Sequence, residues 1–215
     1  MVDEHKLHKT GTTTVGVVCK DGVVLGADRK ITMGGQIVSN KKFEKVIILT
    51  DDFAITVAGL LSDIQLLTKL FKAQMKLDEL RKNKKVNTKE AANMLANLVY
   101  SNVRKFSTIE GITGFLFGGR DISGFHLYEI GMDGALSKFD DYTADGSGMF
   151  FATGVLEAGY KENMSVDDGI KLVVSALNAA IQRDTASGAG CDVITITKEG
   201  TKKAFFKQLD TKLTM

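Results

Sequence analysis

The sequence predicts an α+β fold in four layers, α-β-β-α, with two mainly antiparallel sheets enclosed between two helix pairs. Three observations predict it. The chain reads as strands, two helices, strands, two helices and strands. Its strand-like runs come as hairpins joined by short polar turns. Its helical stretches carry apolar residues three and four apart on one face. Runs segregated in this way argue against a repeating βαβ pattern and a parallel sheet. No internal repeat or linker marks a boundary, so residues 12–215 read as a single domain behind a leader, residues 1–11.

Within the leader, Leu7 is the only apolar residue past the first two, and one such residue buries too little to hold structure. From Thr12 the chain alternates and then runs apolar to Lys20; Asp21-Gly22 is a hairpin turn, and Val23 to Asp28 returns as the second strand. That return carries Asp28, Arg29 and Lys30 back beside Thr12. Met33-Gly34-Gly35-Gln36 reads as a loop. Lys45 to Leu49 and Phe53 to Ala58 form a second hairpin around Asp51-Asp52, closed by Gly59. Leu60, Ile64, Leu67, Leu70, Phe71 and Met75 mark an amphipathic helix from Leu60 to Arg81. After the charged break at 82–85, Thr88 to Ala91 cap a second helix ending near Phe106. Ile112 to Phe117, Gly124 to Ile130 and Ala135 to Phe139 are strands, with a turn at Met132-Asp133-Gly134. A Gly/Ser loop from Ala144 to Gly148 opens a helix running to Tyr160. Ser165 to Asp168 cap the last helix, which runs out at Arg183 to Gly188. Asp192 to Thr197 and Thr201 to Lys207 complete the chain as strands.

Bulk properties remove several function classes. A formal net charge of +2 makes no electrostatic case for nucleic acid or a membrane surface as the main partner. No stretch approaches the roughly 18 apolar residues of a membrane span, and the N-terminus lacks the apolar core of a secretion signal. The two cysteines, Cys19 and Cys191, lie far apart in apolar runs, with neither disulfide nor zinc-site spacing. A reducing, cytoplasmic setting and chemistry without metal or cofactor are therefore expected.

The stretch that suggests chemistry is Gly11-Thr12-Thr13-Thr14-Val15-Gly16. A cut between Gly11 and Thr12 would put a hydroxyl and a free amine on one residue, a recognised way to activate threonine as a nucleophile. Taken alone, the stretch reads more readily as the start of a threonine-rich strand. Asp28, Lys45, Ser147, Asp184 and Ser187 also interrupt apolar or glycine-rich context at element ends. Singly, each has an ordinary reading as a turn, a strand start or a helix terminus.

As a set the pieces resemble proteasome β subunits of the archaeal type, among the N-terminal-nucleophile hydrolases. The carrying motifs are Gly11 to Gly16, Gly26-Ala27-Asp28-Arg29, Lys45-Val46-Ile47, Ala58-Gly59, Gly146-Ser147-Gly148, Gly154-Val155-Leu156-Glu157 and Arg183 to Gly188. The resemblance implies a threonine endopeptidase of this same four-layer fold, freed by self-cleavage after Gly11. It makes Thr12 the nucleophile, whose amine, with a reference pKa of about 7.7–8.0, moves the proton. Lys45 becomes the cation that depresses the nucleophile's pKa, and Asp28 the partner that keeps it charged. Ser147, Asp184 and Ser187 become the group orienting the amine and a water. Gly59 becomes the N–H donor to the oxyanion. Val57, with Ile31 and Ala58, becomes an apolar pocket for the residue before the scissile bond. The implied partners are a heptameric β ring stacked on itself and on α rings, an ATP-driven unfoldase, and unfolded polypeptide as substrate.

Two departures stand out. Lys30 occupies a position usually held by arginine, with Arg29 one step early, and the loop from Gly34 to Lys42 holds an extra residue. Lys45 is therefore matched by context, as the lysine that directly precedes the apolar strand. The competing readings are a catalytically silent β subunit that only builds the ring, and a subunit of the bacterial ATP-dependent two-component peptidase.

Overall fold

The structure is a computed structural model that describes residues 11–33, 37–109 and 111–210. The chain opens with a hairpin of β1 (Thr14–Cys19) and β2 (Gly22–Asp28), then a small hairpin of β3 (Ile31–Met33) and β4 (Ile37–Asn40). A third hairpin, β5 (Val46–Ile48) and β6 (Phe53–Gly59), leads into helices α1 (Leu61–Lys82) and α2 (Thr88–Val103). Strands β7 (Thr113–Asp121), β8 (Gly124–Ile130), β9 (Leu136–Phe139) and β10 (Tyr142–Asp145) follow. Helices α3 (Met149–Gly159) and α4 (Val166–Arg183) and strands β11 (Gly190–Thr197) and β12 (Gly200–Gln208) complete the fold.

The first sheet has the order β10-β1-β2-β11-β12 and the second β5-β6-β7-β8-β9; every neighbouring pair in them is antiparallel. The four layers follow from three separate apolar cores. Phe53, Ile55, Val57, Phe115 and Phe117 on one face of the second sheet pack against Ile64, Leu67 and Phe71 of α1 and Leu95 and Val99 of α2. Val15, Val17, Val24 and Val193 of the first sheet pack against Leu156 of α3 and Leu172, Val173 and Leu177 of α4. Between the sheets lie Val23, Leu25, Leu116, Leu127, Ile194 and Ile196. Strand alternation does the sorting: in β2, Val24 faces the helices while Val23 and Leu25 face the other sheet. Among the described residues no helix is long and apolar enough to cross a membrane.

Several boundaries differ from the sequence reading for local reasons. The first turn is Lys20-Asp21, one residue early, because Gly22 already pairs with Cys19. That glycine is needed for close approach: a Cβ there would lie 2.5 Å from the Ile196 carbonyl oxygen. The cap of α2 is Asn87, whose side chain accepts from the Glu90 N–H while Glu90 answers to the Asn87 N–H, a capping box. Thr88, read as the cap, is the buried first residue of the helix. Leu70 of α1 is exposed, together with Leu66, Leu77 and Leu80. Strands β3, β4 and β10 were not legible as strands: all of β4 is exposed, and β10 alternates weakly beside a glycine loop. Residues 34–36 of the predicted loop and residues 1–10 of the predicted leader lie outside the described residues; Met33 ends β3.

Replacing Asn87 with Ala removes one arm of the capping box while leaving the core untouched. We expect a stability loss of about 1 kcal/mol, read from the urea midpoint at unchanged slope.

Candidate active site

The site assembles where β1, β2, β5 and two loops meet. Register sets its first half. Thr14 pairs with Ala27, so Thr13 stands beside Asp28, and the Asp28 N–H donates to the Thr13 carbonyl at 3.1 Å. The Asp28 side chain is fully buried and held by three main-chain donors: Thr13 N–H at 3.0 Å, Lys30 N–H at 3.0 Å and Gly188 N–H at 2.9 Å. Lys45 enters from the other sheet, its carbonyl accepting from Val57 N–H at 2.9 Å just before β5 begins. Its ammonium lies 2.8 Å from Asp28 Oδ1, 3.0 Å from Thr12 Oγ1 and 3.1 Å from the Gly11 carbonyl oxygen.

With Lys45 only 3 % and Asp28 0 % exposed, the charge is compensated by its partner and not by water. Burial pulls the Lys45 pKa below its ordinary 10.5, and the Asp28 carboxylate opposes that fall. The Thr12 hydroxyl donates to the Gly11 carbonyl oxygen at 2.7 Å. The carbonyl of the bond before Thr12 is thus gripped by the neighbouring hydroxyl and by an ammonium. Gly11 is packed so closely on Ala186 that a Cβ would sit 1.8 Å from the alanine methyl, and its N–H donates to Thr32 Oγ1 at 3.1 Å. Space, as well as flexibility, demands glycine there.

The second half is a hydroxyl–carboxylate chain. Thr12 N–H donates to Ser147 Oγ at 3.2 Å, and Ser147 donates to Asp184 Oδ2 at 2.6 Å. Ser187 also donates to Asp184 Oδ2 at 2.6 Å and lies 2.6 Å from Thr13 Oγ1, so the Thr13 hydroxyl donates to Ser187. Ser147 comes from the loop between β10 and α3; Asp184 terminates α4. Burial works against the Asp184 charge, but the two serine hydroxyls and the Ala186 N–H outweigh it and hold the carboxyl below the ordinary carboxylate range.

Thr12, Asp28, Lys45, Ser147, Asp184 and Ser187 therefore converge in one connected network. Gly59 ends β6 with a φ of 114° and lines a small apolar pocket beside Thr12 and Lys45, with Ile31, Phe43, Val57, Leu61 and Ile64. Ala58 is absent from that lining: it neighbours Val57 on a strand, so its side chain turns to the opposite face. Thr13, Thr32 and Ala186 were missed. Thr13 was legible in the threonine run; Thr32 and Ala186 act by packing and register, which leave no motif. Phe43 was missed because it lies outside any regular element, and Leu61 because, at the first turn of α1, it reads as an ordinary helix-face residue. A far broader cleft lies elsewhere, between α2 and the β7–β8 turn, lined by Asp52, Arg120, Asp121 and His126, and holds none of the site residues. Neither cysteine is a rival nucleophile: burial, aided by nearby carboxylates, pushes Cys19 up to about 12 and Cys191 up to about 11.

A family model described as "Proteasome subunit" matches residues 8–196. The chain belongs to the proteasome subunit family. Proteasome subunit beta of Archaeoglobus profundus is 43% identical over 197 residues, 92% of this chain and 89% of that one. Proteasome subunit beta of Methanocaldococcus fervens is 40% identical over 193 residues, covering 89% and 84%. Proteasome subunit beta 1 of Thermococcus kodakarensis is 40% identical over 193 residues, covering 90% and 92%. These names favour a proteasome β subunit over the bacterial two-component peptidase. The four layers above are the N-terminal-nucleophile hydrolase fold expected of the family.

A carboxyl held low contributes stability above its unfolded pKa, near 3.8 for Asp184, and loses it as pH falls through the lower folded value. The Tm advantage of the wild type over Asp184→Asn should be flat from pH 7 to 5 and shrink below 3.8, as scanning calorimetry would show.

Proposed function

We propose that this chain is a catalytic proteasome β subunit, a threonine-type endopeptidase that frees its own nucleophile by cutting between Gly11 and Thr12. One observation carries the reading: Lys45 Nζ lies 3.0 Å from Thr12 Oγ1, while that hydroxyl lies 2.7 Å from the carbonyl oxygen of the bond to be cut. Residues 1–11 are then a removable leader and residues 12–215 the catalytic domain.

In the uncut chain the Thr12 nitrogen is an amide and no base. Thr12 Oγ attacks the Gly11 carbonyl carbon and gives up its proton, Lys45 stabilises the negative oxygen, and the C–N bond breaks as the hydroxyl's proton passes to the Thr12 nitrogen. The resulting ester at Thr12 is hydrolysed by water, leaving a carboxylate on Gly11 and an amine on Thr12. In the processed chain that amine, held at Ser147, takes the hydroxyl proton as Oγ attacks a substrate carbonyl. Gly59 N–H meets the oxyanion, a contact typically worth about 2.7–4 kcal/mol in the transition state. The leaving amine departs with the proton, and water then releases the acyl group from Thr12.

The pocket of Ile31, Phe43, Val57, Leu61 and Ile64 supports cleavage after hydrophobic residues. Exposed Leu66, Leu70, Leu77 and Leu80 on α1, and Phe150 and Phe151 on α3, support burial of both outer faces in an assembly. We place the subunit in a cytoplasmic barrel with heptameric β rings inside and α rings outside. There an ATP-driven partner feeds unfolded polypeptide, and enclosure protects folded proteins. A silent ring subunit has no use for a buried ammonium shared between a carboxylate and a threonine hydroxyl.

Thr12→Ala should leave residues 1–11 attached by intact mass and abolish hydrolysis of fluorogenic peptides while particles still assemble. Lys45→Ala should lower kcat about 10²–10³-fold, the range for losing one electrostatic contact to a developing negative oxygen. In the wild type the alkaline limb of kcat should fall below pH 10.5, because Lys45 loses its proton early and the hydroxyl then loses its cation.

A further inference from the structure

We propose that Arg29 is a positioning residue for Lys45, acting through the main chain of residues 41–45 and not through charge stabilisation of the fold. This rests on the reading of Lys45 given above. Lys45 is delivered by a segment without regular structure: residues 41–45 lie between β4 and β5. What fixes that segment is a cluster at the far side of β2. Arg29 Nη2 donates to the Lys42 carbonyl at 3.0 Å, and the Arg29 carbonyl accepts from Phe43 N–H at 3.2 Å. Arg29 Nε donates to Gln208 Oε1 at 3.1 Å; Gln208 Nε2 in turn donates to the Lys41 carbonyl at 2.8 Å and the Ala189 carbonyl at 2.7 Å. The Arg29 N–H donates to the Gly188 carbonyl at 3.1 Å. One guanidinium and one amide thus tie the approach to Lys45 and the loop after Ser187 to the same strands.

The guanidinium is itself aimed by Asp192 on β11, paired with its Nη1, and by the Phe206 ring, 4.8 Å from Cζ. Both charged side chains are buried, and Asp192 Oδ1 has no hydrogen-bond partner among the described residues. A buried pair with an unpaired oxygen is a poor stabiliser: apolar replacements of similar size are often neutral or better. Its use is therefore geometric. A planar fork with several fixed donors can hold the Lys42 carbonyl, Gln208 and Asp192 at once, which neither an ammonium nor an apolar chain can do.

The test separates stability from placement in the assembled, processed particle. Arg29→Met with Asp192→Met should regain most of the Tm lost by Arg29→Met alone, yet keep kcat at least tenfold below wild type with KM unchanged. Arg29→Lys, which keeps the charge opposite Asp192 but loses the fork, should retain wild-type Tm and lose kcat at least fivefold. Wild-type kcat in either stable variant overturns the proposal. If the double variant fails to fold, Arg29→Lys decides. If Thr12→Ala shows that hydrolysis in the wild type does not depend on Thr12, the proposed function fails first. A crystal structure of Arg29→Lys then decides the placement: Lys45 Nζ unmoved within hydrogen-bond reach of Thr12 Oγ1 overturns it, and displacement of residues 41–45 supports it.

Discussion

The rest of the site depends on one buried ammonium having a carboxylate beside it. Lys45 sits between two sheets, where a lone charge is strongly disfavoured and would neutralise. Asp28 prevents that, but only because its own charge is met by three N–H donors, from just before β1, from the turn between β2 and β3 and from the loop after α4. Each donor comes from a different part of the chain. The ammonium is therefore held charged by the closure of the whole first sheet with its helix, and not by any local motif. A lysine so placed is a positive neighbour, while it keeps its proton, to whatever oxygen stands opposite, and that oxygen is Thr12 Oγ1.

That dependence explains why the sheets meet as they do. β2 is buried along its full length, between β1 and β11 in its own sheet and against the second sheet on one face. It can therefore bring Asp28 to a dry sheet end. β5 is a short edge strand of the opposite sheet, free to begin late and to leave Lys45 just outside the ladder, with its carbonyl still accepting from Val57 N–H. A longer β5 would turn the lysine into an ordinary strand residue, its side chain fixed by alternation to one face.

Much of this was legible in the chain because periodicity reports burial. The helix faces, the hairpins and the two-sheet arrangement follow from spacing that any buried face must obey. Thr12, Asp28, Lys45, Ser147, Asp184 and Ser187 were legible as polar residues at element ends, though only their joint occurrence distinguished them from turns and caps. What escaped has a common physical cause. Thr32 holds Gly11, Ala186 crowds it, and Arg29 with Gln208 fixes the segment before Lys45; each acts on main-chain groups of residues distant in sequence. Such contacts are set by tertiary register and place no demand on neighbouring residue types. Ala58 failed as a pocket residue for the opposite reason: its neighbour Val57 suits the pocket, and period-two alternation excludes both from sharing it.

The Ser147–Asp184–Ser187 chain raises a question of proton direction that bears on both the uncut and the cut chain. In the uncut chain Thr12 N is an amide that can only donate, and Ser147 Oγ accepts from it while giving its own proton to Asp184. An amine at the same place keeps a lone pair, and a hydroxyl already committed to a carboxylate does not compete for it. Asp184, held ionised below the ordinary carboxylate range, accepts from both serine hydroxyls and so leaves the Ser147 oxygen lone pairs facing Thr12. The acidic residue thus fixes the sense of the whole hydrogen-bond chain in the uncut chain, and the amine that the proposed cleavage would release would meet an acceptor that orients its N–H bonds and leaves its lone pair available to the neighbouring hydroxyl. A protonated or neutral residue at 184 would let the chain reverse, and the same atoms at the same distances would then offer a donor to the lone pair that the proposed chemistry needs.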